Sequence, residues 1–298
     1  MPRVVLILAG ATASGKTELA VELAQTFDAE IVGADSRQIY RDMPIGTAMP
    51  SAEQLAAVPH HLVSFLDPQE RYSAARYAAD ALDAIEAIHR RGKRAIVVGG
   101  TGFYLRALTG GVSLASQYDP AMRDRLAAEA RTHPPAFLHD WLSLRDPARA
   151  AALHPSDAYR ILRALEIALA PARSRTLRTL ATEGIEWTTV FLDVPLPQVD
   201  ARISERAGRM LAAGFVEEAE RVGESAVAAN AVGYPQALAY VRGWSTDREL
   251  RSALERATRR YARRQRAWFR SEPGTLWLQA PDVVELTREK LRWSSKRA

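Results

Sequence analysis

Residues 4–17 read VVLILAGATASGKT, and this stretch decides the fold. Its first half, VVLILAG, is a continuous apolar run rich in β-branched residues. A run without polar alternation suits a strand covered on both faces of a parallel sheet. Its second half fills the pattern G-x-x-x-x-G-K-[ST] with Gly10, Gly15, Lys16 and Thr17, enclosing Ala11, Thr12, Ala13 and Ser14. Glycines let backbone N–H groups curl around phosphate oxygens, and the start of the following helix adds partial positive charge. Lys16 supplies a mobile cation, and the Thr17 hydroxyl is placed to ligate Mg²⁺. The eight residues from Gly10 to Thr17 are therefore the candidate site for a di- or triphosphate.

Outward from this loop, strand and helix patterns alternate. Helix formers occupy 17–27, and a second strand over 30–34 ends at Asp35. Residues 72–91 have helical spacing, and a short apolar strand over 95–98 ends in Gly99-Gly100-Thr101-Gly102. This alternation defines an α/β protein with crossover helices. Ligands of such sheets bind beyond the carboxyl ends of the strands. Lys16, Asp35 and Thr101 all follow strand ends, so they can meet at one edge.

Near residue 115 the character changes, and no strand pattern is found until about 186. Asp119-Pro120 opens one helix, another begins near Phe137, and Ser156-Asp157 caps a third that runs to Ala170. A strand over 187–194 then rejoins the sheet, followed by helical patterns over 198–222, 234–243 and 248–270. The expected architecture is a P-loop NTPase-like parallel sheet with helices on both faces and an all-helical insertion domain. The core is discontinuous, 1–114 and 187–298, and the insertion covers 115–186.

The 298 residues suffice for a full core, and 47% hydrophobic with 25% charged residues is ordinary for a globular protein. With no cysteine, disulfides, thiolate metal sites and a cysteine nucleophile are excluded, which fits a reducing compartment. No apolar run approaches the length of a membrane span, and none reads as a targeting segment. The net charge is +5, yet residues 251–270 alone hold eight arginines and one glutamate, which leaves −2 for the rest. So concentrated a positive charge points to a polyanionic partner or to a solvated helix face. At about 100° per residue, Arg256, Arg259, Arg260, Arg263, Arg266 and Arg270 gather on one side. Leu254, Tyr261, Trp268 and Phe269 gather on the other, so the arginines are expected to face outward.

One part of a typical P-loop NTPase is missing. Its apolar strand ends in a magnesium-holding Asp, whereas the strand over 95–98 ends in GGTG. Asp193 follows a β-rich run but has no catalytic pattern around it. Asp35 is the strand-end carboxylate in a convincing motif, which suits a site where phosphate leaves and an Asp acts as base. On residues alone, a small-molecule kinase and a nucleic-acid-binding NTPase remain open.

Further motifs narrow the reading. GADSRQIYRDMPIGTAMP (33–50), PHHLVSFLDPQERYSA (59–74) and VGGTGFYLRAL (98–108) follow the loop. RILRALEI (160–167 region), AVGYPQALAYVRG (231–243) and TRRYARRQRAWFR (258–270) come after them. In this order they resemble the tRNA dimethylallyltransferases, also called tRNA isopentenyltransferases, over nearly the whole chain. The resemblance implies transfer of a dimethylallyl group from dimethylallyl diphosphate to N6 of adenine 37, beside the anticodon of tRNA. It implies Mg²⁺ as cofactor and the anticodon stem-loop as partner, with no membrane, and the chain is read as a cytoplasmic monomer. Asp35 and Thr101 become the candidate catalytic residues. Asp35, Ser36, Arg37 and Gln38 would contact the flipped base and its neighbours. Thr101, Arg123 and the run Tyr159, Arg160, Ile161, Leu162 and Arg163 match further tRNA-contacting positions. Tyr159 replaces the polar residue usual there, which leaves stacking or no contact as the alternatives. Some members carry a diphosphate-binding arginine where this chain has Asn230, and Arg202 or Arg206 is the candidate cation to compensate. A relative that prenylates free adenine nucleotides would need neither the helical insertion nor the basic helix.

Overall fold

The computed structural model describes residues 3–112, 120–169, 178–291 and 293. In chain order it begins with β1 (Val4–Gly10), α1 (Lys16–Phe27), β2 (Ala29–Gly33), α2 (Ala52–Ala57) and β3 (His60–His61). Next come α3 (Ala74–Arg90), β4 (Arg94–Gly99), α4 (Gly102–Thr109), α5 (Pro120–Thr132) and α6 (Pro135–Arg145). Then follow α7 (Pro147–Ala151), α8 (Ala158–Leu169), β5 (Glu186–Leu192), α9 (Leu196–Ala212) and α10 (Phe215–Val222). The chain closes with a 3₁₀ turn (Val227–Asn230), α11 (Tyr234–Val241), α12 (Asp247–Arg270), β6 (Leu276–Leu278) and α13 (Ala280–Glu289).

The six strands form one sheet in the order β3-β2-β4-β1-β5-β6, and every pairing is parallel. β1 lies inside it, with Val5–Ala9 against Ala95–Gly99 on one side and Val4–Gly10 against Glu186–Leu192 on the other. That position explains its sequence. Val5 to Ala9 are wholly buried, and alternate residues serve opposite faces. Leu6 and Leu8 join Leu19, Leu23 and Phe27 of α1, with Val283 and Leu286 of α13, in one core layer. Each such side chain contributes about 1.5–3 kcal/mol on burial.

Helix ends follow their local chemistry. Ser73 caps α3 by accepting from Arg76 N at 3.1 Å. Thr246 and Glu249 form a capping box at the start of α12. Asp157 accepts from Arg160 N at 3.1 Å at the start of α8, as its position in the sequence implied. Asp119 and Ala170, the expected outer ends of the insertion helices, lie outside the described residues.

The structure departs from the sequence reading in three places. The pattern over 198–222 is two helices, because the chain turns at Gly214, whose φ of 90° lies in the left-handed region. The edge strands β3 and β6 and the helices α2, α4, α7 and α13 were not foreseen; strands of two and three residues carry no usable periodicity. The helical unit also ends earlier than residue 186. Two compact units are present, Met1–Val112 with Arg178–Ala298, and Ser113–Leu177. Residues 178–185 belong to the first, since Leu180 N donates to Leu108 O at 2.9 Å and Arg178 pairs with Asp83 and Glu86 of α3. The second unit has its own core of Leu126, Leu138, Leu142, Ile161 and Leu165. Among the described residues, no helix is long and apolar enough to cross a membrane.

Candidate functional site

The phosphate loop sits at the carboxyl end of β1 and opens directly into α1. Its tight curl needs left-handed backbone at Ala13 (φ 62°) and at Gly15 (φ 89°). Gly15 adopts this freely, whereas a left-handed alanine holds strain that the surrounding structure must enforce. Lys16 Nζ lies 3.4 Å from Ala11 O. Burial pushes the Lys16 ammonium below its ordinary pKa; the Asp35 carboxylate works against that shift and Arg206 adds to it. The loop is thus a cationic hollow, with the Asp35 carboxylate acting on its lysine.

Two arginines of α9 complete it. Arg206 donates to Thr12 Oγ1 at 3.1 Å, and Arg202 donates to Ser14 O at 2.9 Å. These are the cations left open beside Asn230; both reach the loop, and Arg206 also lines the cavity described below. Burial lowers the Arg206 pKa, with Asp35 opposing the shift.

Asp35 follows β2. Its Oδ1 accepts from Arg37 N at 2.8 Å and from Gln38 N at 3.3 Å, which fixes the carboxylate's direction. No hydrogen bond to its Oδ2 occurs among the described residues, so that oxygen is available. Thr101 Oγ1 accepts from Ser36 N at 3.0 Å and donates to Ser36 Oγ at 3.3 Å. Tyr261 brings its hydroxyl beside Thr101, and burial pushes that phenol's pKa up. Sequence reasoning missed Tyr261 as a site residue and assigned it to the core side of α12.

Some of these groups line a cavity of about 230 Å³, whose lining includes Thr12 of the loop but neither Lys16 nor Thr101. Thr12, Asp35, Arg37, Arg206, Tyr261 and Arg264 line its polar part. Ile203, Ala207, Met210, Val232 and Leu254 line an apolar part, and Gly46 and Thr47 close one side. Glu218, wholly buried, holds that side in place. Its carboxylate accepts from Ile45 N at 2.8 Å, Gly46 N at 2.7 Å and the Tyr234 hydroxyl at 2.7 Å. Nothing in the sequence singled out Glu218, because its partners lie far away along the chain.

Other expected site residues fall elsewhere. Gln38 does not line the cavity; its amide nitrogen donates to Thr47 O at 3.2 Å and Ala48 O at 2.8 Å. Thr17 lies with Gln38 and His60 around a separate hollow of about 10 Å³. In the helical unit, Arg123 and Arg163 both converge on the buried Glu166. Ile161 is 0% exposed there, so its side chain serves packing and not tRNA contact, while Leu162 is half-buried against the same cluster. Tyr159 is 76% exposed and Arg160 is also open to solvent.

The arginine face of α12 is also only partly as expected. Arg256, Arg260, Arg263 and Arg270 are exposed. Arg266 instead turns inward, donating to Asp193 Oδ1 at 2.8 Å and stacking over Trp277. Arg259 pairs with Asp200 and Glu255. Asp193, the acid at the end of β5, is thereby occupied by a guanidinium.

A parallel sheet with a phosphate loop at its inner strand, and an oriented carboxylate on the same cavity, defines a P-loop α/β enzyme suited to group transfer. Residues 38–272 match the family model described as IPP transferase. The tRNA dimethylallyltransferase of Geobacter sulfurreducens is 42% identical over 285 residues, covering 93% of this chain and 92% of that protein. That of Anaeromyxobacter dehalogenans is 44% identical over 286 residues, covering 93% and 95%. The crystal structure of full-length tRNA isopentenylpyrophosphate transferase from Bacillus halodurans aligns with TM-score 0.70 at 32% identity, covering 98% and 96%. A eukaryotic dimethylallyltransferase acting on tRNA aligns with TM-score 0.75 at 26% identity, covering 97% and 77%. The chain belongs to the tRNA dimethylallyltransferase family. It is a transferase of tRNA modification, as its motifs implied.

Proposed function

We propose that the donor is dimethylallyl diphosphate, that the acceptor is N6 of adenine 37 in tRNA, and that diphosphate leaves into the loop Gly10–Thr17. The observation that carries this reading is the shared cavity: Thr12 and Arg206 mark its phosphate end, and Asp35 faces the same space. The apolar wall of Ile203, Ala207 and Met210 suits a five-carbon chain.

The exocyclic amine of adenine is a weak nucleophile, because its lone pair is delocalised into the ring. Asp35 Oδ2 accepts its proton as the C–N bond forms, while Oδ1 stays tied to the backbone of Arg37 and Gln38. As the allylic C–O bond breaks, negative charge grows on the diphosphate and meets the loop N–H groups, Lys16 and Arg206. Thr101 keeps the Ser36 backbone in register with Asp35. The base must leave the anticodon stack to reach this depth. Ser36 and Arg37 line its path, and Thr101, Gln38, Arg123, Arg163, Tyr159 and Arg160 complete the proposed tRNA-contacting set, the last two from an exposed face.

Among the described residues no cluster of three or more His, Cys, Asp or Glu could hold a metal ion. The Thr17 hydroxyl, at the first turn of α1, fits Mg²⁺ carried mainly by diphosphate oxygens and water. Bound so, the ion would add electrostatic stabilisation of the leaving group. The enzyme is proposed to work as a cytoplasmic monomer.

The test is incubation of tRNA with dimethylallyl diphosphate and Mg²⁺, digestion to nucleosides, and mapping of the product. Prenylated adenosine at position 37 is the expected result; its absence, or product only on free adenine nucleotides, overturns the reading. Asp35→Asn should lower kcat roughly 10²–10⁴-fold with tRNA affinity retained. Normal turnover in that variant would remove Asp35 from the base role.

A further inference from the structure

The phosphate loop and the GGTG turn are joined by one side chain of α12. Gln265 is 5% exposed. Its Oε1 accepts from Thr12 N at 2.8 Å, and its Nε2 donates to Gly100 O at 3.0 Å. The fit is close, because a Cβ on Gly100 would overlap the Gln265 amide nitrogen. The other side of α12 carries the exposed Arg256, Arg260 and Arg263. One helix therefore presents guanidinium groups to solvent and holds both catalytic turns from within.

We propose that Gln265 is a positioning residue for the transfer reaction: it sets the phosphate loop and the Thr101 turn at a fixed separation, so that the departing diphosphate and the base at Asp35 stay aligned. The proposal rests on the reading that the loop takes the donor diphosphate. Thr12 N–H would otherwise be free to turn toward a phosphate, and the loop would close on the anion in a different shape. With Gln265 in place, that N–H is spent on the protein, and the Thr12 side chain meets Arg206 instead. Gly100 O is held in the same way, which fixes the peptide leading into Thr101. A buried amide meets both needs at once, since it offers one acceptor and one donor with no net charge beside a bound anion. A carboxylate would repel the Gly100 carbonyl, and an ammonium would leave Thr12 N–H unpaired.

Gln265→Met keeps the volume and removes both hydrogen bonds. Binding of inorganic diphosphate with Mg²⁺ is measured by calorimetry, and steady-state kinetics are run against each substrate. The expected result is diphosphate affinity and kcat each reduced roughly tenfold or more, as two buried polar groups lose their partners. The KM for tRNA should stay within about twofold, because no phosphate-facing arginine is touched. A second pair of variants guards against simple misfolding. Gly100→Ala alone should be impaired, and combining it with Gln265→Ala should cost less than the two single losses added together, because the Gln265 amide is the nearest clash and only the tight contact with Gly10 O at 3.1 Å remains. Unchanged diphosphate binding and kcat in Gln265→Met overturn the proposal, as does equal loss toward both substrates or strict additivity in the cycle. Failure of the unaltered enzyme to bind inorganic diphosphate would instead overturn the donor-site reading.

Discussion

Lys16 shows most directly how this site trades stability for binding. Burial lowers its pKa from the ordinary 10.5, so the folded chain disfavours the charged form. Below the folded pKa the ammonium is charged in both states, and the folded state carries the cost of holding it away from water. That cost fades as pH rises through the folded value toward 10.5. Lys16→Met should therefore raise the thermal midpoint of the substrate-free protein, by about 2–4 °C for each kcal/mol relieved. The same variant should lose the calorimetric signal of diphosphate binding. A lowered midpoint would show that Lys16 is stabilising in the empty site. The loop motif made Lys16 legible as a phosphate ligand, but not as a strained one. Arg206 of α9 and Asp35, two of the charges that act on it, lie elsewhere in the chain.

At the scale of elements, the GGTG turn is explained by what crowds it. Gly102 starts α4, and a Cβ there would overlap the indole of Trp268. That indole is sandwiched in turn by Arg106, 4.3 Å from its ring, which pairs with Glu272. Gly102→Ala must push Trp268 away or shift α4, and overpacking of this kind costs about 1–3 kcal/mol. Urea unfolding followed by tryptophan fluorescence should show that loss, with an altered native spectrum. No change in either would mean that the turn yields without strain. The sequence showed the GGTG turn after a strand and assigned its Thr101 to substrate. Its glycines have an internal reason, since the Ala34 backbone and the Gln265 and Trp268 side chains of α12 occupy the space that side chains would need. The same helix shows the limit of periodic reading. Its length was legible, but Arg266 turned inward because Asp193 and Trp277 offered a charge and a ring there.

At the scale of the whole molecule, the helical unit Ser113–Leu177 has an apolar core of its own. Leu180 N bonds to Leu108 O, so the two chain segments that flank the insertion meet within the sheet-bearing unit. Replacing 113–177 by a short glycine-serine linker should leave a folded core that binds inorganic diphosphate as before. Affinity for tRNA should fall roughly tenfold or more, and the remaining affinity should decline more gently with salt, because fewer phosphate contacts survive. Filter binding over a range of salt concentrations, alongside calorimetry, checks both. Retained tRNA affinity would assign recognition to the sheet-bearing unit alone.

What the sequence determined by itself is whatever depends on neighbours along the chain. The apolar run Val4–Gly10, the curl from Gly10 to Thr17 and the cap of α8 follow from residues a few positions apart, so they could be read directly. The family and its activity followed from ordered short motifs of the same local kind. Tertiary structure alone decided which side chains complete the site. Gln265 reaches Thr12 across 253 positions, and Glu218 reaches Gly46 across 172. A glutamine or glutamate on a helix carries no local sign of such a role. Its hydrogen bonds exist only once the helix has docked against the sheet, and the docking depends on burial summed over many distant residues.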